Sequence, residues 1–136
     1  MIAVDTSAIA AIVFNEPERP IFRQIIQGAG KALISTVTVL EARLVIHGRR
    51  GQRGVVLADS LLRLPVFEII APGSADLEAA YAAFVAYGKG SGHPANLNFG
   101  DLFSYALAKI RDLPLLFKGQ DFARTDLQSA VELSGS

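Results

Sequence analysis

Four acidic residues stand where apolar segments give way to polar or helical ones: Asp5, Glu41, Asp101 and Asp121. Two carboxylates about 5 Å apart repel by roughly 3 kcal/mol at an effective dielectric of about 20, so a cluster of four needs a cation or raised pKa values. Oxygen ligands without cysteine favour a hard ion such as Mg²⁺ or Mn²⁺. Such an ion activates water and offsets charge on phosphoryl oxygens. The pattern therefore predicts metal-assisted phosphodiester hydrolysis, with no separate general base.

Each acid also has an ordinary explanation. Asp5 and Asp101 are suited to cap or stabilise helix N-termini. Glu41 fits a solvent-facing helix position, and Asp121 fits a turn. The joint pattern of four acids is stronger than any one of them, and it favours a site.

Short apolar strands alternate with longer helices along the chain. Strands are predicted at 2–4, 32–34, 66–70, 114–117 and 130–133. Helices are predicted from about residue 8, at 17–27, 37–50, 54–63 and 75–87, and after an N-cap at residue 98. This order predicts an α/β fold, a three-layer α/β/α sandwich with a short, mostly parallel sheet. Ligands gather beyond the carboxyl ends of such strands, where the four acids are expected.

Length and composition narrow the function classes. A chain of 136 residues fits a single domain, 1–136, with its own apolar core. The absence of cysteine excludes disulfides, thiolate ligands and thiol nucleophiles. No apolar run approaches the roughly 18 residues of a membrane span, and the apolar N-terminus lacks the basic region of a signal peptide. We therefore expect a cytoplasmic protein with no membrane contact.

The formal net charge is zero, so RNA contact would depend on a local basic patch. Arg49 and Arg50, with Arg43 one or two turns earlier, are the candidate RNA contacts. A solvated helix end, whose basic residues answer the helix dipole, is the alternative interpretation. The glycine-rich segment 88–92 is expected to be a flexible loop, because it lacks the frame of a P-loop. His93 beside it is expected to have a structural role.

Four segments in order carry a resemblance that spans nearly the whole chain: MIAVDTSAIAAIVFNEPE, ISTVTVLEARLVI, LNFGDLFSYALAK and PLLFKGQDFARTDL. Together they resemble the PIN domains of VapC-type toxins from bacterial toxin–antitoxin pairs. The resemblance implies a three-layer PIN-like fold and an Mg²⁺- or Mn²⁺-dependent endoribonuclease. It also implies a homodimer, and inhibition by a cognate VapB-type antitoxin whose tail enters the active-site groove.

The resemblance also implies roles for single residues. Asp5 and Asp101 match the acids that hold the metal most directly, Glu41 matches the third acid and Asp121 the fourth. Many relatives carry two acids in the final turn, whereas this chain has one in Gly-Gln-Asp-Phe at 119–122. Asp126 would then supply the missing ligand or a contact behind the ligands.

Thr6 and Ser7 match small hydroxyl positions beside the site, where they would orient Asp5 or a water molecule; helix capping is the alternative role. Two other functions stay open. One is a phosphatase or flap-type nuclease that shares the acidic site but acts on a phosphomonoester or branched DNA. The other is a binding module without activity, whose apolar surface holds a partner and whose acids are caps.

Overall fold

The computed structural model describes residues 1–134 and contains a four-stranded sheet. The strands are β1 (Ile2–Val4), β2 (Ala32–Ser35), β3 (Phe67–Ile70) and β4 (Leu115–Leu116). Their spatial order is β3-β2-β1-β4, and each pairing between these strands is parallel. The central strands β1 and β2 are buried along their whole length, because helices cover both faces of the sheet.

The strands are connected by helices, as the alternating pattern predicts. The helices are α1 (Thr6–Val13), α2 (Arg19–Gly28), α3 (Thr36–Leu62), α4 (Ser74–Tyr87), α5 (Phe99–Arg111) and α6 (Ala130–Ser134), and a 3₁₀ turn covers Phe122–Arg124. One face of the sheet packs on α1, α2 and α3 through Ile2, Val4 and Ile34. The opposite face packs on α4 and α5 through Ala3 and Leu33. The predicted three-layer α/β/α sandwich is confirmed.

Helix α3 contains both of the helices predicted between residues 37 and 63. Its backbone leaves helical geometry at Gly51, where φ is 64° and ψ is −160°. A side chain at this φ would be strained, and glycine tolerates it. The break therefore separates a first segment, which carries Glu41, from a second segment that returns toward β3.

The predicted fifth strand at 130–133 is wrong, because these residues belong to helix α6. Strand pairing there is limited to a single parallel bridge between Leu115 and Ser129. The Ser129 hydroxyl then accepts a hydrogen bond from the Val131 N–H at 3.2 Å, which is how a helix N-cap works. Short-range capping thus outweighs the apolar character of this segment.

The glycine-rich loop is closed by its own contacts. The Lys89 N–H donates to the Leu97 carbonyl at 2.8 Å, and the Leu97 N–H donates to the Tyr87 carbonyl at 2.9 Å. His93 accepts a hydrogen bond from the Ala95 N–H and packs edge-on against the Tyr87 ring. These contacts give His93 a structural part in the loop. Within residues 1–134, no helix is long and apolar enough to cross a membrane.

Candidate active site

Asp5 lies at the carboxyl end of the central strand β1 and is only 4% exposed. It is the N-cap of α1, and its Oδ2 accepts hydrogen bonds from the Ser7 N–H at 3.0 Å and the Ser7 hydroxyl at 2.8 Å. Its Oδ1 accepts a hydrogen bond from the Ser104 hydroxyl at 2.5 Å. Capping and site formation are therefore compatible, since three donors compensate the buried carboxylate and fix its plane.

Glu41 reaches the same region from the first segment of α3. The Thr6 hydroxyl donates to Glu41 Oε1 at 2.5 Å. Burial raises the pKa of Glu41, the hydrogen bond from Thr6 lowers it, and the charge of Asp5 raises it further, with a net rise. The Glu41 carboxylate also lies directly against Gly100, where a Cβ atom would overlap it. Gly100 is therefore needed to let the acid approach the N-terminus of α5.

Asp101 lies in the first turn of α5 and is 8% exposed. It forms a capping box with Asn98: the Asn98 N–H donates to Asp101 Oδ2, and the Asp101 N–H donates to Asn98 Oδ1, both at 3.0 Å. Sequence reasoning had offered capping as the alternative to a site role. The geometry permits both, because the cap uses one of the two carboxylate oxygens.

The charges of the other three predicted acids act on Asp101. Burial raises the pKa of Asp101 to about 7, against the opposing effect of the hydrogen bond from Asn98, and the charges of Asp5, Asp121 and Glu41 add to the rise. Asp121 is exposed and stands at the start of the 3₁₀ turn after β4. Three buried or half-buried acids and one acid at the surface thus form a region of excess negative charge.

The chemistry of this donor set fits a hard divalent cation. The side-chain ligand atoms are carboxylate oxygens, and no basic side chain is among the groups that shift the pKa of Asp101 or Glu41. Within the described part of the chain, however, no three acidic, histidine or cysteine side chains converge as the ligands of one ion. The hydrogen bonds to Asp5, Glu41 and Asp101 instead hold each acid in place separately.

Asp126 lies in a different environment from these four acids. Its Oδ1 accepts a hydrogen bond from the Tyr105 hydroxyl at 2.6 Å, and its Oδ2 accepts one from Lys109 Nζ at 2.7 Å. Burial opposes the charge of Asp126, but these two donors outweigh it and lower its pKa. Asp126 is not among the charges that affect Asp101. The structure therefore does not bring Asp126 together with the cluster.

The three arginines considered for RNA contact have protein partners. Arg43 Nε lies 3.1 Å from Asp59 Oδ1. The guanidinium groups of Arg49 and Arg50 lie 4.0 and 5.5 Å from the centre of the Phe14 ring. All three remain exposed. None of them is among the groups that shift the pKa of Glu41 or Asp101, so these arginines do not neutralise those two acids.

Sequence reasoning missed Ser104, Thr38 and Gly100. Ser104 follows Asp101 by three residues, and Thr38 precedes Glu41 by three, so each shares a helix face with an acid. That spacing was the available signal for both hydroxyls. The role of Gly100 depends on how α3 approaches α5, and this approach cannot be read from a local pattern.

Comparisons with known proteins identify the family of the chain. Residues 2–127 match the family model of the PIN domain. The chain is 42% identical over 128 residues to Ribonuclease VapC30 of Mycobacterium tuberculosis, covering 94% of this chain and 97% of that protein. The crystal structure of M. tuberculosis VapC20, a Sarcin-Ricin loop cleaving toxin, gives a TM-score of 0.75 at 18% identity, covering 93% of this chain and 96% of that chain. A toxin-antitoxin complex from Klebsiella pneumoniae gives 0.63 at 22% identity, covering 90% and 91%.

Proposed function

The chain belongs to the PIN-domain family, and from this premise we propose that it is a divalent-metal-dependent endoribonuclease and the toxin of a toxin–antitoxin pair. The observation that carries the proposal is the acidic cluster at the carboxyl edge of the sheet. In that cluster burial and three neighbouring carboxylates raise the pKa of Asp101 to about 7. A group perturbed by both burial and specific charges is typical of a functional site.

Asp5, Glu41, Asp101 and Asp121 are the residues that would hold Mg²⁺ or Mn²⁺. When bound, the ion would supply an activated water and offset the charge that develops on the phosphoryl oxygens. Asp5 is preorganised for this role by its three hydrogen-bond donors. Glu41 is oriented by Thr6, and Asp101 by Asn98. These hydrogen bonds keep the acids in place before substrate arrives, which is what electrostatic preorganisation requires.

Protonation of Asp101 limits metal binding at this site. Because the pKa of metal-free Asp101 is about 7, protons compete with a cation for this carboxylate near neutral pH. The apparent affinity for the ion should therefore increase as the pH rises from about 6 to about 8.

We propose RNA as the substrate because the relatives that cover nearly the whole chain carry the name ribonuclease. We also propose that the protein acts in the cytoplasm.

Exposed apolar side chains support a protein partner as well. Leu40 and Leu44 on α3 are 55% and 65% exposed. On the other side, Leu77, Tyr81 and Phe99 line an apolar groove between α4 and α5. Exposed apolar side chains that lie together on one face are typical of interaction sites. We propose that these two faces contact a second copy of the chain, in a homodimer, and a VapB-type antitoxin. We also propose that residues 1–136 act as a single PIN domain.

Cleavage of a mixed RNA pool by purified, partner-free protein tests the proposal. The reaction would be run with Mg²⁺, Mn²⁺ or EDTA, beside Asp5→Asn and the matched control Asp59→Asn, which changes an acid paired with Arg43. We expect metal-dependent cleavage by the wild type and by Asp59→Asn, and none by Asp5→Asn. Cleavage that survives in Asp5→Asn or in EDTA would contradict the proposal. Cleavage of branched DNA but of no RNA would favour the flap-type nuclease instead.

A further inference from the structure

Two chains of hydrogen bonds end on the Asp5 carboxylate, one on each oxygen. In the first, the Lys118 N–H donates to the Ser7 hydroxyl at 2.9 Å, and that hydroxyl donates to Asp5 Oδ2. In the second, the Thr38 and Ser104 hydroxyl oxygens lie 3.3 Å apart, and Ser104 donates to Asp5 Oδ1. The Asp5 carboxylate, directly after β1, is thus tied to Lys118, two residues after β4, and to both α3 and α5.

The direction of the second chain follows from counting protons. A serine hydroxyl has one proton, and a carboxylate can only accept. Since Ser104 donates its proton to Asp5, the Thr38 hydroxyl must be the donor in the contact between Thr38 and Ser104. Both chains therefore point their protons toward Asp5. In the second chain, which is buried, hydrogen bonds aligned in this way polarise and strengthen one another.

Packing alone does not account for a serine at position 104. Ser104 is fully buried at 0% exposure in the middle of α5, a helix in which Leu102 and Ala106 are buried as well. Alanine is the better helix former there, and a serine in a helix interior commonly bonds the carbonyl four residues earlier. The Ser104 hydroxyl instead bonds a carboxylate 99 residues away in sequence. The Ser104 hydroxyl therefore binds Asp5 rather than its own helix.

We propose that Ser104 is a positioning residue that, supported by Thr38, orients Asp5 for the divalent ion of the active site. The inference rests on the proposed function, in which Asp5 is a metal ligand. Ser104 occupies one acceptor position of Oδ1, and the N–H and hydroxyl of Ser7 occupy both positions of Oδ2. The carboxylate therefore cannot rotate, and the one acceptor position left, on Oδ1, faces a fixed direction. Partners that orient a ligand in this way commonly contribute 10–100-fold to metal affinity.

Binding of Mn²⁺, followed by electron paramagnetic resonance of the free ion, tests the role of Ser104 without requiring activity. We expect Ser104→Ala to raise the Kd for Mn²⁺ about tenfold. Thr38→Val removes only the supporting hydroxyl and should raise the Kd about two- to threefold. In RNA cleavage, the loss in Ser104→Ala should be largest at low Mn²⁺ and largely recovered by excess Mn²⁺, which a general packing defect would not permit.

Ser129→Ala is the matched control, because it removes a hydroxyl that caps α6 and that bonds no acid within residues 1–134. Its Kd for Mn²⁺ should equal that of the wild type. If Ser104→Ala does not fold, Ser104→Cys keeps the volume with a weaker donor and should give an intermediate Kd. A wild-type Kd in Ser104→Ala or Ser104→Cys, with only the thermal stability lowered, would overturn the inference.

The design separates this inference from the proposed function. If the wild type binds Mn²⁺ and Asp101→Asn abolishes that binding, the metal site stands, and the Ser104 variants alone decide the inference. If the wild type binds no Mn²⁺, or binds it equally well with Asp101→Asn, the proposed metal site fails and the inference falls with it.

Discussion

Two aspartates near helix α5 differ in their charge environment. Burial raises the pKa of Asp101 to about 7, against the hydrogen bond with Asn98, and the charges of three other carboxylates add to the rise. Asp126 is bonded to Lys109 and Tyr105, which lower its pKa. Within residues 1–134, no basic side chain is among the groups that shift the pKa of Asp101, whereas the charge of Asp126 is neutralised by Lys109. The difference indicates that the first region is arranged for a cation and the second for stability of the fold.

The largest expected effect is on RNA cleavage, when the charge of Asp101 is removed and the result is compared with removal of the charge of Asp126. Asp101→Asn keeps the capping acceptor but removes a ligand, so RNA cleavage should fall at least about 100-fold. Asp126→Asn should retain activity within about threefold, because its partners are Tyr105 and Lys109. Initial rates at saturating Mg²⁺ measure both. Equal losses in the two variants would remove the distinction between the regions.

A smaller effect is expected from Gly100→Ala. The added methyl group would overlap the Glu41 carboxylate and displace it from the cluster, so cleavage should fall about tenfold while the fold is retained. Gly48→Ala is the matched control, since a Cβ there meets nothing within 4 Å, and α3 should gain slightly in stability. Unchanged kinetics in Gly100→Ala would mean that the position of Glu41 does not matter for catalysis.

The fold was predictable from sequence because hydrophobic spacing and helix caps are local signals. The strands at β1, β2, β3 and β4 and the break within α3 follow the apolar runs and the glycine between them. The segment at 130–133 was assigned incorrectly, because a single capping serine decides between strand and helix there. Local patterns therefore predict the layers of the fold but not the helix formed by the segment 130–133.

The candidate site was predictable only in its acids. Asp5, Glu41, Asp101 and Asp121 follow strands or open helices, and the structure brings their charges together. The contacts behind these acids, such as the bond from Ser104 to Asp5, join residues 99 positions apart. Such contacts depend on how helices pack across the sheet, so spacing along one helix can suggest them but cannot establish them.

In the metal-free protein, stability should depend on pH through Asp101. Its folded pKa of about 7 exceeds the ordinary aspartate pKa of 3.8, so the folded state binds more protons, and stability falls as the pH rises from about 4 through about 7. Asp101→Asn removes this loss. The free energy of unfolding of Asp101→Asn minus that of the wild type should therefore increase with pH. This difference should reach at most about 4 kcal/mol at pH 8. Urea unfolding in EDTA measures the difference, and parallel pH profiles would contradict it.

The smallest effect is expected for the stability of Asp126→Asn. The pKa of Asp126 is lowered, so its stabilising contribution is present above about pH 4 and is lost as the pH falls further. Because the side chain is 40% exposed, solvent screening limits this contribution to about 0.5–1 kcal/mol at pH 7. Urea unfolding at low and high NaCl should show a loss that shrinks with salt. An increase in stability would mean that this acid, too, carries unbalanced charge.

The most direct test of the difference between the two regions is a pH titration of the aspartate carboxyl carbons by nuclear magnetic resonance, without metal and with Mg²⁺. Asp101 should titrate near pH 7 in the metal-free protein, and Mg²⁺ should lower its pKa. Asp126 should titrate below its ordinary range in both conditions. If both groups titrate at ordinary values, or if Mg²⁺ shifts neither, the acidic cluster is not the cation site proposed here.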